Sequence, residues 1–341
     1  MIGNNLKYYR QLAGLSQEKL AGLVGLTKMA ISNYENNKRE ADSGIMIKLA
    51  DALNIDASKL LSDPTGSAVI THAEFRKNSG MSNSSRDMVY ETVDRYLGHF
   101  NTVVQILGEA VLPDIPRIEK LPFTDIESAG QEMRKYLSLS STGPVGNIVD
   151  ALENRGIIIC QMVFPDRQFS GINGTLNDRP YIAVNMTMPP ERQRFTLIHE
   201  LAHILFAFPD NVNVEKTVDG ITGAFLFPMK DVVRELGKCR TNILGELRAL
   251  QREYGISMQS ILIRARQSGC INASVYEEHQ RWISKSGLRK DERSGFPTEN
   301  STLFENLIIR AVSEDMININ KASELLDLPN NEIKQLCGLE V

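Results

Sequence analysis

Apolar positions in the first sixty residues recur at helical spacing and are punctuated by cap and turn residues. Leu6 and Tyr9, beside Arg10, open an amphipathic helix, and Ser16 caps a second over Gln17–Leu23. Gly25 makes a turn, Thr27 caps a third helix running to Tyr34, and Ile45–Leu53 with Leu60 closes a small helical core. Two short helices joined by a tight glycine-containing turn are a helix-turn-helix. Residues 62–87 are then poor in apolar side chains and rich in turn formers, which predicts a linker. Beyond it Val89, Val93, Tyr96, Phe100, Val103 and Leu107 recur at alternating steps of four and three, the seam of a coiled coil. Such a seam either pairs two chains or packs down on its own.

From Ile126 the pattern predicts a compact domain. Helical spacing covers Glu127–Leu137 and Val145–Asn154, and Gly156–Phe164 is a strand dense in β-branched residues. Phe169–Leu176, the Asn177-Asp178 turn and Pro180–Met186 read as a hairpin, so a small antiparallel sheet with an exposed edge for an extended peptide is expected. Helices follow over Asp231–Leu236, Leu244–Glu253, Ser257–Gln267 and Ser274–Ser284. Residues 257–266 and 319–333 have the look of further helix-turn-helix units; the tail's charge mix favours docking or packing over DNA.

Chemistry enters at Phe195–Phe206, a helix carrying His199-Glu200-Leu-Ala-His203. Histidines four apart share one helix face, so both imidazoles reach one ion, with Glu200 about 100° round beside its open position. The other faces are apolar, and two histidines and a glutamate buried there are costly without a metal. Glu215, on the helix that follows, completes a His₂Glu site for Zn²⁺ with water in the fourth position. Asp219, one turn on, accepts the outer N–H of a ligand imidazole. Glu200 is the expected catalytic base of peptide hydrolysis. The oxyanion donor has no signature; Tyr181 and Arg194 are candidates by nearness.

Composition changes little. The 341 residues, 42% apolar and 23% charged, suit two or three domains, and neither a membrane span nor a signal-peptide pattern is present, which places the chain in the cytoplasm. Cys160, Cys239, Cys270 and Cys337 are scattered, implying reduced cysteines. Residues 1–61 hold eight Lys/Arg against six Asp/Glu while the rest holds thirty against thirty-six, a mildly basic head on an acidic body. No glycine-rich phosphate loop stands out, so no nucleotide cofactor is expected.

Gln17, Leu20-Ala21, Val24-Gly25, Thr27, Ile31-Ser32 and Tyr34-Glu35 resemble the XRE (Cro/repressor-like) DNA-binding family. The resemblance implies that the third helix enters the major groove of operator DNA, with Thr27 at its start and Lys28, Met29, Ser32 and Asn33 nearest base edges, and Gln17, Asn36, Lys38 and Arg39 near phosphates. Arg194-Phe195-Thr196, His199–His203, Glu215–Asp219 and Phe225–Pro228 look like the ImmA/IrrE family of zinc metallopeptidases, over about residues 121 to 285. The family usually reads Glu-x-x-Ala-Asn at the third ligand, where this chain has Val218-Asp219.

The fold class expected is α+β, mostly helical: an XRE-type domain over 1–64, a linker and connecting helix over 65–120, a zincin-like HExxH domain with a small antiparallel sheet over 121–235, and a helical region over 236–341. The resemblance implies a zinc metallopeptidase that cuts an XRE-type repressor or related protein; because an open zinc cleft in the cytosol is hazardous, gated activity is expected, with a homodimer as a further partner and no membrane. The other reading is a transcription regulator or antitoxin-like DNA binder whose metal domain senses or is inactive.

Overall fold

Side-chain caps set the helix starts of the head. Ser16 accepts from the Lys19 N–H at the start of α2 (Gln17–Val24), Thr27 from Ala30 at α3 (Lys28–Glu35) and Asp42 from Ile45 at α4 (Ser43–Leu53), while α1 (Ile2–Leu12) precedes them and α5 (Ser58–Leu61) closes the set. Gly25, at φ 69°, ends α2 in the left-handed region that favours glycine. Leu6, Leu20, Ile31, Leu49 and Leu60 fill the core between these helices. The computed structural model describes residues 2–61, 68–73, 80–115, 118–164, 168–288 and 295–339. It divides into two units, one of residues 1–68 and 81–102 and one of 69–80 and 103–341.

In the first unit a polar network ties the helices. Arg10 holds both oxygens of Glu35, at 2.5 and 2.9 Å, and gives a third bond to the Leu15 carbonyl at 2.8 Å. The long helix α6 (Asn83–Leu107), whose residues to Thr102 belong to this unit, places Arg95 4.3 Å from the centre of the Tyr8 ring and 2.8 Å from Asn5 Oδ1. Its seam residues Val89, Val93 and Phe100 are buried within the single chain and Tyr96 is half-buried, so of the two uses expected for the seam the structure shows packing on its own chain.

The second unit is built on a four-stranded sheet in the order β1-β4-β5-β3, from β1 (Ile70–His72), β3 (Ile158–Met162), β4 (Gly171–Leu176) and β5 (Arg179–Asn185). The short β2 (Leu121–Pro122) pairs elsewhere, in parallel with β6 (Phe206–Ala207). Two findings differ from the pattern-based expectation. The sheet is mixed, because β5 lies between its hairpin partner β4 and the earlier strand β3, with which it runs parallel. Both strands of that pair are buried almost throughout, as parallel pairs are. Secondly, the stretch expected as a linker supplies β1, paired with β4; its remaining parts at 62–67 and 74–79 lie outside the described residues. The Asn177-Asp178 turn is as expected, both residues at positive φ, which matches a two-residue hairpin loop.

Helix α9 (Pro190–Leu205) lies against β4 and β5, and α10 (Val214–Leu226) crosses both α9 and α7 (Ile126–Tyr136). With α8 (Ile148–Glu153) and α11 (Met229–Leu236), they share one apolar core with α12 (Leu244–Tyr254), α13 (Met258–Gln267) and α14 (Ala273–Lys285). The helical region expected as separate past residue 235 is therefore continuous with the domain as far as Leu288. The tail forms α15 (Leu303–Ser313), α16 (Ile319–Leu326) and α17 (Asn330–Leu336). Among the described residues no helix is long and apolar enough to cross a membrane.

Residues ahead of the tail are strapped to the domain by polar bonds: the Ser301 N–H reaches Gln161 Oε1 at 2.7 Å and the Ser301 hydroxyl reaches Glu153 Oε1 at 2.5 Å. Burial pushes the Glu153 carboxyl from its usual 4.5 up to about 7, against the opposing pull of Ser301. A raised carboxyl pKa means that the folded chain holds the proton more tightly than the unfolded one, so the contribution of Glu153 to stability is greatest below about 4.5 and is lost as pH rises through about 7. Glu153→Gln should therefore melt with the parent chain at the acid end and above it beyond pH 7, as calorimetry over that range would read.

Candidate metal centre and nucleic-acid interface

The spacing of the HExxH helix delivers what it promises locally. On α9, His199 and His203 bring their Nε2 atoms to 3.2 Å from one another. Glu215, in the first turn of α10, stands with Oε2 3.4 Å from the first of these and Oε1 3.5 Å from the second. The donor atoms of all three residues lie within 4.8 Å of each other. A tetrahedral ion with bonds of about 2.0–2.1 Å has ligands about 3.3 Å apart along its edges, so this triad matches three corners of a zinc site.

Donor chemistry agrees with that fit. Asp219 Oδ1 is 3.0 Å from His199 Nδ1, so that nitrogen carries the proton and the Nε2 lone pair points inward. Inward-facing lone pairs on two imidazoles and a carboxylate repel one another, and a cation relieves this. Asp219, where the family pattern has asparagine, makes the bond expected of it. Glu200 lies beside the triad with Oε2 accepting from Asn173 Nδ2 at 2.7 Å. Asn173 carries no motif, and its separation of 27 positions from Glu200 hides the pairing from any local reading.

Two buried arginines tie the end of α10 to its other neighbours, Arg134 from α7 and Arg264 from α13. Arg134 donates from Nε to the Phe225 carbonyl at 2.7 Å and from its other nitrogens to Ser140 and Gly143. Burial pulls its pKa down to about 10, with Asp231 opposing. Arg264 donates to the Phe227 carbonyl at 3.0 Å and pairs with Glu127 at 2.6 Å. These bonds satisfy carbonyls at the α10 C-terminus that the helix itself leaves open.

Of the two oxyanion candidates, Arg194 is corrected by the structure. It is buried, pairs with Glu299, donates to the Val145 and Gly146 carbonyls, and stacks 4.5 Å from the centre of the Phe296 ring, so it clamps the fold. Burial lowers its pKa and raises that of Glu299. Tyr181 is buried on β5 with its hydroxyl on His72 Nδ1.

In the head, α3 buries Ile31, Tyr34 and Glu35. Thr27, Lys28 and Met29 are exposed and Ser32 and Asn33 half-exposed, so the face expected to read bases is turned outward. Lys38 and Arg39 are exposed beyond the helix, with the Arg39 guanidinium 5.9 Å from the Tyr34 ring centre. Asn36 donates to the Ser32 carbonyl at 2.7 Å. Gln17, expected near phosphate, donates to Glu35 Oε2 at 2.8 Å.

Comparison with known proteins follows the same division. Residues 6–60 match the family described as Helix-turn-helix, and residues 153–266 match the peptidase M78 family described as IrrE N-terminal-like domain. The chain joins an XRE-type helix-turn-helix head to an ImmA/IrrE-like domain. Among curated proteins it is similar to the SPbeta prophage-derived uncharacterized HTH-type transcriptional regulator YonR of Bacillus subtilis (33% identity over 75 residues), Control protein C.SmaI of Serratia marcescens (38% over 61) and HTH-type transcriptional regulator ImmR of Bacillus subtilis (33% over 60). The matches span 63%, 73% and 47% of those proteins and 22%, 18% and 18% of this chain. No solved structure matches.

The geometry gives a graded outcome for metal binding. His203→Ala removes a donor and should abolish zinc uptake, whereas Asp219→Ala leaves all three donors and should weaken affinity by about 10–100-fold. Competition with a chromophoric chelator measures both, and equal affinity in the Asp219 variant and the parent would refute the assigned imidazole orientation.

Proposed function

We propose that this chain is a DNA-binding zinc metallopeptidase that regulates transcription by cutting an XRE-type repressor or related partner protein. The observation that carries the reading is the triad of His199, His203 and Glu215 at tetrahedral-edge distances with Glu200 beside it. The outward face of α3 in the same chain supports the DNA-reading half, as do the regulator names of the relatives. Such a protein works where the chromosome is, in the cytoplasm, and a two-fold operator calls for two copies of the head.

When bound, zinc would supply Lewis-acid polarisation and a water acidified from its bulk pKa to about 7. The chain's residues do the rest. Glu200 takes the proton of the attacking water and returns it to the leaving amine. Asn173 fixes the Glu200 carboxylate through Oε2, so the base meets the scissile bond in one orientation. Asp219 fixes the tautomer of His199, and a peptide bond is divided into a carboxylate and an amine.

Glu200→Gln removes the base and no ligand, so it should retain zinc and lose cleavage; used as a trap, it should also hold the uncut partner for identification. Proteolysis persisting in that variant would end the mechanism. For the head, Asn33→Ala should cost about 1–3 kcal/mol at one operator position, and Lys38→Ala should weaken specific and random DNA alike. Binding titrations on both kinds of duplex separate the two, and equal losses for Asn33→Ala would refute base readout.

A further inference from the structure

In sequence, residues 68–73 follow the head, yet from Val69 on they belong to the unit that carries the metal triad. The Asn177 N–H donates to the Val69 carbonyl at 2.8 Å, the Ala73 N–H to the Asn173 carbonyl at 2.8 Å, and the Val69 N–H to Asn177 Oδ1 at 2.9 Å. Thr71 is two residues from each end and so falls in the same hydrogen-bonded set of the antiparallel ladder; its hydroxyl also meets that of Thr175 at 2.7 Å. Strand β4 is shaped for this neighbour. A side chain at Gly174 would bring its Cβ to 2.0 Å from the Thr71 carbonyl oxygen, so only glycine lets β1 approach.

The strand ends at the chemistry. Asn173, whose carbonyl accepts from Ala73, gives its side-chain amide to Glu200. A cleft of about 990 Å³ is lined by Thr71, His72 and Ala73 together with the ligand His203. None of residues 68–73 is fully buried, and Val69 is 65% exposed, so ladder bonds, the Thr71–Thr175 hydroxyl pair and the His72–Tyr181 contact, rather than core packing, keep the segment there. Backbone bonding of this kind accepts any extended peptide of suitable shape.

We propose that the outer edge of β4 is the site where a peptide strand is laid beside the metal centre, and that its resident occupant is the chain's own segment Val69–Ala73. A partner's extended strand must then displace that segment to be cut, an inference that rests on the peptidase reading above. The fitting partner is a segment running antiparallel to β4, whose backbone Gly174 allows to approach closely.

Thr71→Pro in the full chain removes one ladder donor. Hydrogen exchange at the Thr175 and Asn177 amides should then quicken at least tenfold, and a labelled peptide of residues 68–73 should bind the variant at least tenfold more tightly than the parent and restore protection. Thr71→Ala keeps the donor and should exchange like the parent. Should Thr71→Pro misfold, Val69→Pro removes only the bond to Asn177 Oδ1 and should give a smaller change of the same sign. Unchanged exchange, equal peptide binding, or a Thr71→Ala variant as loose as Thr71→Pro would each overturn the proposal. So would recovery of the parent chain cut beside the strand, which would make the segment a substrate. Zinc content is measured on the same samples. Zinc bound with unchanged exchange removes the strand inference alone, and quickened exchange without zinc supports the strand while removing the peptidase reading.

Discussion

Three lone pairs held together in the half-buried seam between two helices are the constraint on which this domain depends. The Nε2 atoms of His199 and His203 and the Glu215 carboxylate stand 3.2–3.5 Å apart, and in a low-dielectric surround that arrangement is repulsive until a cation enters. Helix α10 is anchored elsewhere: its terminal carbonyls are bound by Arg134 of α7 and Arg264 of α13, and α7 approaches it closely at Gly130, where a Cβ would stand 3.0 Å from Ala224. The triad is thus brought together with the help of contacts made away from its own side chains.

What the sequence disclosed and what it hid divide by range. The caps at Ser16, Thr27 and Ser257, the Asn177-Asp178 turn and the HExxH face are decided within four residues, and each is found where pattern places it. Glu215 and Asp219 stood out as an acidic pair one turn apart soon after the histidine pair, and the structure brings both to the histidines, although such a pair is equally at home on a solvated helix face. Strand β1 was not legible. Its three residues lie among turn formers, and its partner is about a hundred positions away. The parallel β3–β5 pair was hidden similarly, since a buried strand shows no alternation that would tell its neighbour's direction. Nearness in sequence misled at Arg194, which points into the core, away from the ligand face.

The head shows how one polar network can serve shape and recognition together. Glu35 receives Arg10 through two bonds and Gln17 through a third, so the starts of α2 and the end of α3 are fixed to α1 by a single carboxylate. A buried pair of this kind adds little net stability, but removing one partner strands a charge, which makes the angle between the two short helices sharply defined. Lys28, Met29, Ser32 and Asn33 inherit that definition, since they project from the opposite side of α3.

Strand β1 has a consequence for association as well. A sheet edge with open N–H and C=O groups will pair with any other open edge, and the side of β4 that faces outward would be one. By lending three residues to it, the chain closes that edge with its own backbone. Whatever lifts the strand therefore also exposes a surface prone to self-association, and the time the edge stays bare, multiplied by the local concentration of the protein, becomes the hazard that cells making it in quantity must contain.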